Sequence, residues 1–204
     1  MRSKWSVLAV LAAAQFLMVL DQAVMNVSIS QLVADFDTTV TTIQVVIAFY
    51  ALVMAALMIT GGKLGDLWGR RRAFTIGLVV YACGSALTAA SWSVPTLMLG
   101  WSVLEGIGAA MVLPALVALA AGNYRGADRA VVYGVLGGVA GAGIAVGPIV
   151  GGWATTELSW RVVFAGEVVI AAFILLGTRL VREPEERQHG GAHVAAAHAR
   201  AGAH

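Results

Sequence analysis

Six long apolar stretches fill most of the 204 residues, and the loops joining them carry their basic residues on alternate connections. A hydrocarbon core about 30 Å thick needs roughly 20 apolar residues per helix, and a helix crossing it must satisfy its own backbone hydrogen bonds. The stretches at 5–33, 43–62, 72–91, 95–121, 129–153 and 160–181 meet that requirement. Their interruptions are polar or helix-breaking: Asp35 to Thr39, Ser91 to Pro95, and Gly122 to Asp128. An all-α membrane domain over 1–182 follows, leaving almost no chain for a soluble domain. A composition of 59% hydrophobic and 12% charged residues fits lipid as the surrounding solvent and lipid as a partner.

The charges then orient the bundle. Arg2 and Lys4 precede the first span, Lys63 and Arg70 to Arg72 follow the second, Arg125 and Arg129 follow the fourth, and Arg179, Arg182, Arg187 and Arg200 follow the sixth. Of the 13 basic residues only Arg161 falls on the opposite side, so both termini are expected in the cytoplasm, with the chain in the cell's inner (plasma) membrane. The net charge of +2 thus reports topology, and no nucleic-acid partner is implied. The basic N-terminus reads as a retained signal anchor, since the apolar run outlasts a signal peptide and no cleavage site follows it. A single cysteine, Cys83, excludes an intramolecular disulfide. Residues 183–204 form a low-complexity stretch expected to be a disordered cytoplasmic tail; its four histidines are irregularly spaced and lack acidic or cysteine partners, so no metal site is expected there.

The sequence also repeats. Gly61-Gly62, Arg71 and Phe74 recur with the same spacing as Gly151-Gly152, Arg161 and Phe164. An odd number of helices separates the copies, which places them on opposite membrane faces. That is the pattern of a three-helix unit followed by its inverted copy, a plan that secondary transporters use to build a site at mid-membrane.

Three motifs carry a family resemblance. The segment Gly61-Gly62-Lys63-Leu64-Gly65-Asp66-Leu67-Trp68-Gly69-Arg70-Arg71-Arg72 resembles the cytoplasmic loop signature of the major facilitator superfamily. Its glycines permit a tight connection, Asp66 can sit near the positive end of the third helix, and the arginines suit an anionic surface. In the fifth span Gly143, Gly147 and Gly151 recur every fourth residue beside Pro148 and Gly152. They make a smooth face for close helix packing, and the pattern is similar to the antiporter motif of the superfamily's exporters. There the resemblance implies a hinge-like contact with the opposite half, which puts this face near an interface between halves. The run Leu20-Asp21-Gln22-Ala23-Val24-Met25-Asn26 is similar to the first-helix motif of the fourteen-helix proton-coupled multidrug exporters, although Ala23 and Ser30 depart from it. Trp160-Arg161 and Phe164 also suit that group. Ser102 and Glu105 stand where the fourth-helix motif has an arginine and a glutamine, so a cation is lost and an anion gained.

Inside the spans lie Asp21, Glu105 and Glu167, with no lysine or arginine at comparable depth. Glu105 is about 15 Å and Glu167 about 10 Å from the outer ends of their helices by helical rise. Such carboxylates must face a polar cavity, meet another protein surface or be protonated. Proton carriage and attraction of cationic cargo both use this chemistry, with Asp21, Asn26, Ser102, Glu105 and Glu167 as candidates. For Asp21 a packing hydrogen bond to Gln22 or Asn26 is the competing role. Ser102 and Glu105 share a helix face at a spacing of three. Nothing points to an enzyme or a cofactor: there is no phosphate loop, no Cys-x-x-Cys or His-Glu-x-x-His, and no nucleophile-base pair. The scattered tryptophans and methionines read as lipid contacts, interfacial anchors or packing.

The resemblance covers only an N-terminal half. It implies proton-coupled export of hydrophobic or cationic drugs or metabolites, by a chain paired with a second copy or a second half-transporter. A truncated gene product and a membrane adaptor that reuses the half-fold are the alternatives. A lone half is expected to present Asp21, Glu105 or both on an open face.

Overall fold

A computed structural model describes residues 4–181, and no strand occurs among them. The tail expected over 183–204 lies outside the described residues. Six helical segments are long and apolar enough to cross a membrane. The first is α1 (Lys4–Val27), followed by the short α2 (Ile29–Asp35). Where the sequence suggested one span over 5–33, the helix is interrupted at Ser28, whose hydroxyl donates to the Val24 carbonyl at 2.7 Å beside the Ser28 amide's own bond to it at 2.9 Å. The second and third spans are α3 (Val40–Trp68) and α4 (Arg70–Ala89). The fourth starts as α5 (Val94–Leu97), passes through a π-helical segment (Met98–Glu105) and ends as α6 (Gly106–Asn123). The fifth and sixth are α7 (Ala127–Glu157) and α8 (Trp160–Gly177), the latter closed by a 3-10 turn at Thr178–Leu180.

Local chemistry sets these ends. Thr39 caps α3 by accepting from the Thr42 amide at 3.2 Å. Ser93 and Thr96 form a reciprocal capping box over α5, with Pro95 in the first turn where its missing N–H costs nothing. Ser159 accepts from the Arg161 amide at the start of α8. The segment expected to be a loop after residue 62 is helix. α3 continues through Lys63 and Asp66 to Trp68, and the chain reverses on Gly69 alone, whose φ of 92° and ψ of 138° favour glycine. Pro114 and Pro148 both lie inside continuous helices, since a buried or lipid-facing helix has neighbours to offset the lost hydrogen bond.

The packing follows an inverted repeat. α1 packs on α7 and α3 packs on α6, two pairs that exchange when the first three spans are turned onto the last three; α4 packs on α8, a pair that maps onto itself. The repeat seen in the sequence occupies equivalent places: Gly61 and Gly151 are buried at helix crossings, and Phe74 and Phe164 are both fully buried. The faces of α3, α7 and α8 turned away from the bundle carry Leu52, Ile59, Ile149 and Phe173, which suits contact with lipid.

Candidate functional site

The acids come together. Asp21 on α1, Glu105 at the end of the π segment and Glu167 on α8 each offer a carboxylate oxygen, and these three atoms all lie within 4.8 Å of one another. All three side chains are buried, at 0%, 0% and 1% exposure, which corrects the expectation of an open acidic face: the cluster is sealed inside the six-helix bundle. Distances along each helix, which set Glu167 apart near the outer surface, do not measure distances between helices.

A π turn makes the arrangement. It carries one extra residue per hydrogen-bonded turn and recurs at functional sites. Here it buries Gly100, Trp101, Ser102 and Glu105 together. Glycine lets it approach α4: a Cβ at Gly84 would stand 2.6 Å from the Glu105 side chain and 2.8 Å from its backbone nitrogen, and one at Gly100 would stand 2.8 Å from the Thr88 nitrogen. Any larger residue at either place would push the π segment off α4 and withdraw Glu105.

Each acid is held by neutral donors through one oxygen. The Trp101 indole donates to Asp21 Oδ1 at 2.8 Å, Thr88 Oγ1 donates to Glu105 Oε1 at 3.0 Å, and Ser85 Oγ and Tyr81 Oη donate to Glu167 Oε2 at 3.0 and 3.3 Å. The second oxygens, Asp21 Oδ2, Glu105 Oε2 and Glu167 Oε1, have no hydrogen-bond partner among the described residues, and neither does the buried Tyr50 hydroxyl. Tyr50 stacks on Trp101 with ring centroids 4.4 Å apart. An unpartnered buried polar atom is costly, and all three acids of the cluster carry one, which marks a place built for something other than stability.

The remaining candidates fall elsewhere. Asn26 is exposed and donates to the Gln22 carbonyl in its own helix, so it is not Asp21's partner; Trp101 is. Ser102 shares a face with Glu105 in sequence, but its hydroxyl donates to the Val46 carbonyl at 2.8 Å and ties the π segment to α3. Gly143, Gly147 and Gly151 are buried against α1 of the same chain: a Cβ at Gly147 would meet Ala23 Cβ at 2.3 Å, and one at Gly151 would meet Val24 Cγ2 at 3.0 Å. Within this chain the close neighbour of that face is α1, which periodicity could not name: it shows that a helix will be approached closely and does not show by what. Pro148 is exposed, and the half-buried Gly152 faces Val27. A Cβ at Gly62 would stand 3.7 Å from Pro114 Cβ, and Asp66 pairs with Arg70 at 3.5 Å on the bundle's surface. Arg71 is half-buried and Arg72 exposed beside them.

At the opposite end the charges are paired across helices. Arg161 bonds Asp35 Oδ2 at 2.8 Å and donates to the Ser91 carbonyl at 3.0 Å, while its guanidinium lies 4.3 Å from the Trp160 ring centre. The Trp160 indole also donates to Asp35, at 2.8 Å. Two tryptophans read as anchors or packing, Trp101 and Trp160, are therefore carboxylate donors. Tyr50, Tyr81, Ser85, Thr88 and Trp101 escaped the sequence reading because such residues are common in membrane helices. Their one shared signal is the spacing of Tyr81, Ser85 and Thr88, which puts all three on one face of α4.

Six helices in inverted triplets around an ionisable centre define a half of the architecture used by secondary transporters. The chain belongs to the Major Facilitator Superfamily, whose family model matches residues 11–202. Among curated proteins it is 36% identical over 190 residues to the puromycin resistance protein pur8 of Streptomyces alboniger, covering 93% of this chain and 37% of that one. It is 35% identical over 188 residues to the multidrug efflux pump LfrA of Mycolicibacterium smegmatis, covering 91% and 37%. A solved structure of a peptide transporter in complex with sulfate shares the fold at a TM-score of 0.75 and 18% identity, covering 97% of this chain and 44% of that one. The chain thus spans about two fifths of the length of the proteins it matches.

Proposed function

We propose that this chain provides one half of a secondary active exporter of hydrophobic or cationic drugs or metabolites, driven by protons exchanged at Asp21, Glu105 and Glu167. The observation that carries the reading is the buried acid cluster with no basic residue at its depth, since a carboxylate in hydrocarbon is retained for proton or ion traffic by default. The names of the relatives, a puromycin resistance protein and a multidrug efflux pump, support drug export as the class. Transport in this architecture needs two halves rocking about a site between them, so the working unit is a second copy of the chain or a second half-transporter. No enzymatic step is part of this reading.

The membrane orientation belongs to the same proposal: inner (plasma) membrane, both termini cytoplasmic, and Asp35, Ser91 and Arg161 outside. In a Cys83→Ser background, cysteines at Asp37 and Glu157 should react with an impermeant thiol reagent applied to cells, while one at Arg125 should not. Labelling at Arg125 instead would reverse the topology. Transport itself is tested by weighing the detergent-solubilised complex and reconstituting it in liposomes. Two chains and cargo-dependent proton flux are expected. A complex without flux would favour a membrane adaptor or a truncated product.

A further inference from the structure

Three acids sharing one buried point have a charge problem that their hydrogen bonds do not solve. Every donor that reaches them, from Trp101, Thr88, Ser85 and Tyr81, is neutral. The basic residues of the described chain lie at the ends of the helices. Neutralisation must therefore come from something that enters and leaves.

The donor set resembles a hard-cation site in three respects. All its unpartnered atoms are oxygens: three carboxylate oxygens and the Tyr50 hydroxyl. Tyr50 is 2% exposed, and its ring lies on the indole that holds Asp21. Each carboxylate is also fixed through its other oxygen by a neutral donor, the outer-shell arrangement that orients metal ligands. Three carboxylate oxygens, all within 4.8 Å of one another, fall inside the about 4.6–5.2 Å that calcium spans between opposed ligands at about 2.3–2.6 Å, and calcium tolerates irregular geometry where magnesium demands a near-ideal octahedron.

We propose that Asp21, Glu105, Glu167 and the Tyr50 hydroxyl bind one divalent cation of calcium size in exchange for protons. A low-dielectric site is cheapest when its net charge is zero. Three protonated carboxyls are neutral, and so are one calcium ion, two carboxylates and one carboxyl. Loading a calcium ion therefore expels about two protons, as metal binding to protonated ligands must. The titratable groups facing the site are Asp21 from α1, Tyr50 from α3, Tyr81 from α4, Glu105 from the π segment and Glu167 from α8. The inference concerns the same acids as the export reading but stands without transport, since binding can be read on protein that moves nothing.

The test is calorimetric titration of the purified, detergent-solubilised full chain with calcium chloride, repeated in buffers of different ionisation enthalpy to count protons. Saturable binding of one calcium per chain is expected, with magnesium at least about tenfold weaker and affinity falling as pH is lowered. Asp21→Asn, Glu105→Gln and Glu167→Gln should each weaken binding by about tenfold or more, and Tyr50→Phe by less. Asp35→Asn, at the end of the bundle, should leave it unchanged. No saturable calcium binding by the wild-type chain would overturn the proposal. So would equal binding of magnesium, or affinity that survives all three acid substitutions. Should those variants fail to fold, the wild-type proton count decides: about two released per calcium supports the exchange, and none released refutes it.

Discussion

Asp35 and Asp21 are carboxylates on the same stretch of chain, each bonded by a tryptophan indole at 2.8 Å, yet they are neutralised in opposite ways. Asp35, at the end of the bundle, has a permanent cation: Arg161 bonds it at 2.8 Å and is itself braced by the Ser91 carbonyl and the Trp160 ring. Asp21, in the centre, has two further acids for neighbours and no cation. A fixed ion pair locks helix ends together, whereas acids without a fixed partner keep their charge available to a mobile one. The molecule thus separates an acid with a fixed counter-charge from acids without one, and exchange at the latter is what the proposed function requires.

The largest effect should come from disturbing the centre without touching a charge. Gly147→Leu drives a side chain into Ala23, two residues from Asp21 on α1, and overpacking of this kind costs about 1–3 kcal/mol or more. Thermal unfolding in detergent should drop accordingly, in the single half and not only in an assembled pair. An unchanged melting temperature would mean that α1 and α7 are not packed as described. Trp101→Phe comes next. It leaves Asp21 Oδ1 without its donor and should cost about 1–3 kcal/mol by the same measurement, since a buried acceptor is stranded.

Arg161→Met tests the other side of the contrast. Both partners are partly exposed, at 38% and 40%, so the loss should be no more than about 1 kcal/mol and should shrink as salt is raised. A loss as large as that of Trp101→Phe would erase the distinction between end and centre. Asp66→Asn should be the mildest change. Its pair with Arg70 is 3.5 Å long, within one turn, and the aspartate is 65% exposed, so about 0.5 kcal/mol or less is expected.

Hydropathy and loop charge made the six helices readable from sequence, because a bilayer imposes length and apolarity on every segment that crosses it. The repeat was readable too, since the same crossings must be made twice, by Gly61 and by Gly151. The three acids could be named one by one because an ionisable residue within an apolar run is conspicuous. Their meeting could not be foreseen, for it depends on the π turn at Met98–Glu105 and on the glycine seam of Gly84 and Gly100, and neither leaves a pattern in composition. The same blindness left α1 unnamed as the neighbour of the glycine face of α7, where small residues announce a close approach without saying by what.

The most direct test of exchange at the centre is proton flux in liposomes, comparing Asp21→Asn and Glu105→Gln with Asp35→Asn. These substitutions preserve volume and remove only the charge. Cargo-driven proton flux should be abolished in Asp21→Asn, strongly reduced in the milder Glu105→Gln, and should persist in Asp35→Asn. Wild-type flux in Asp21→Asn and Glu105→Gln would show that the central acids are structural, and would contradict the account.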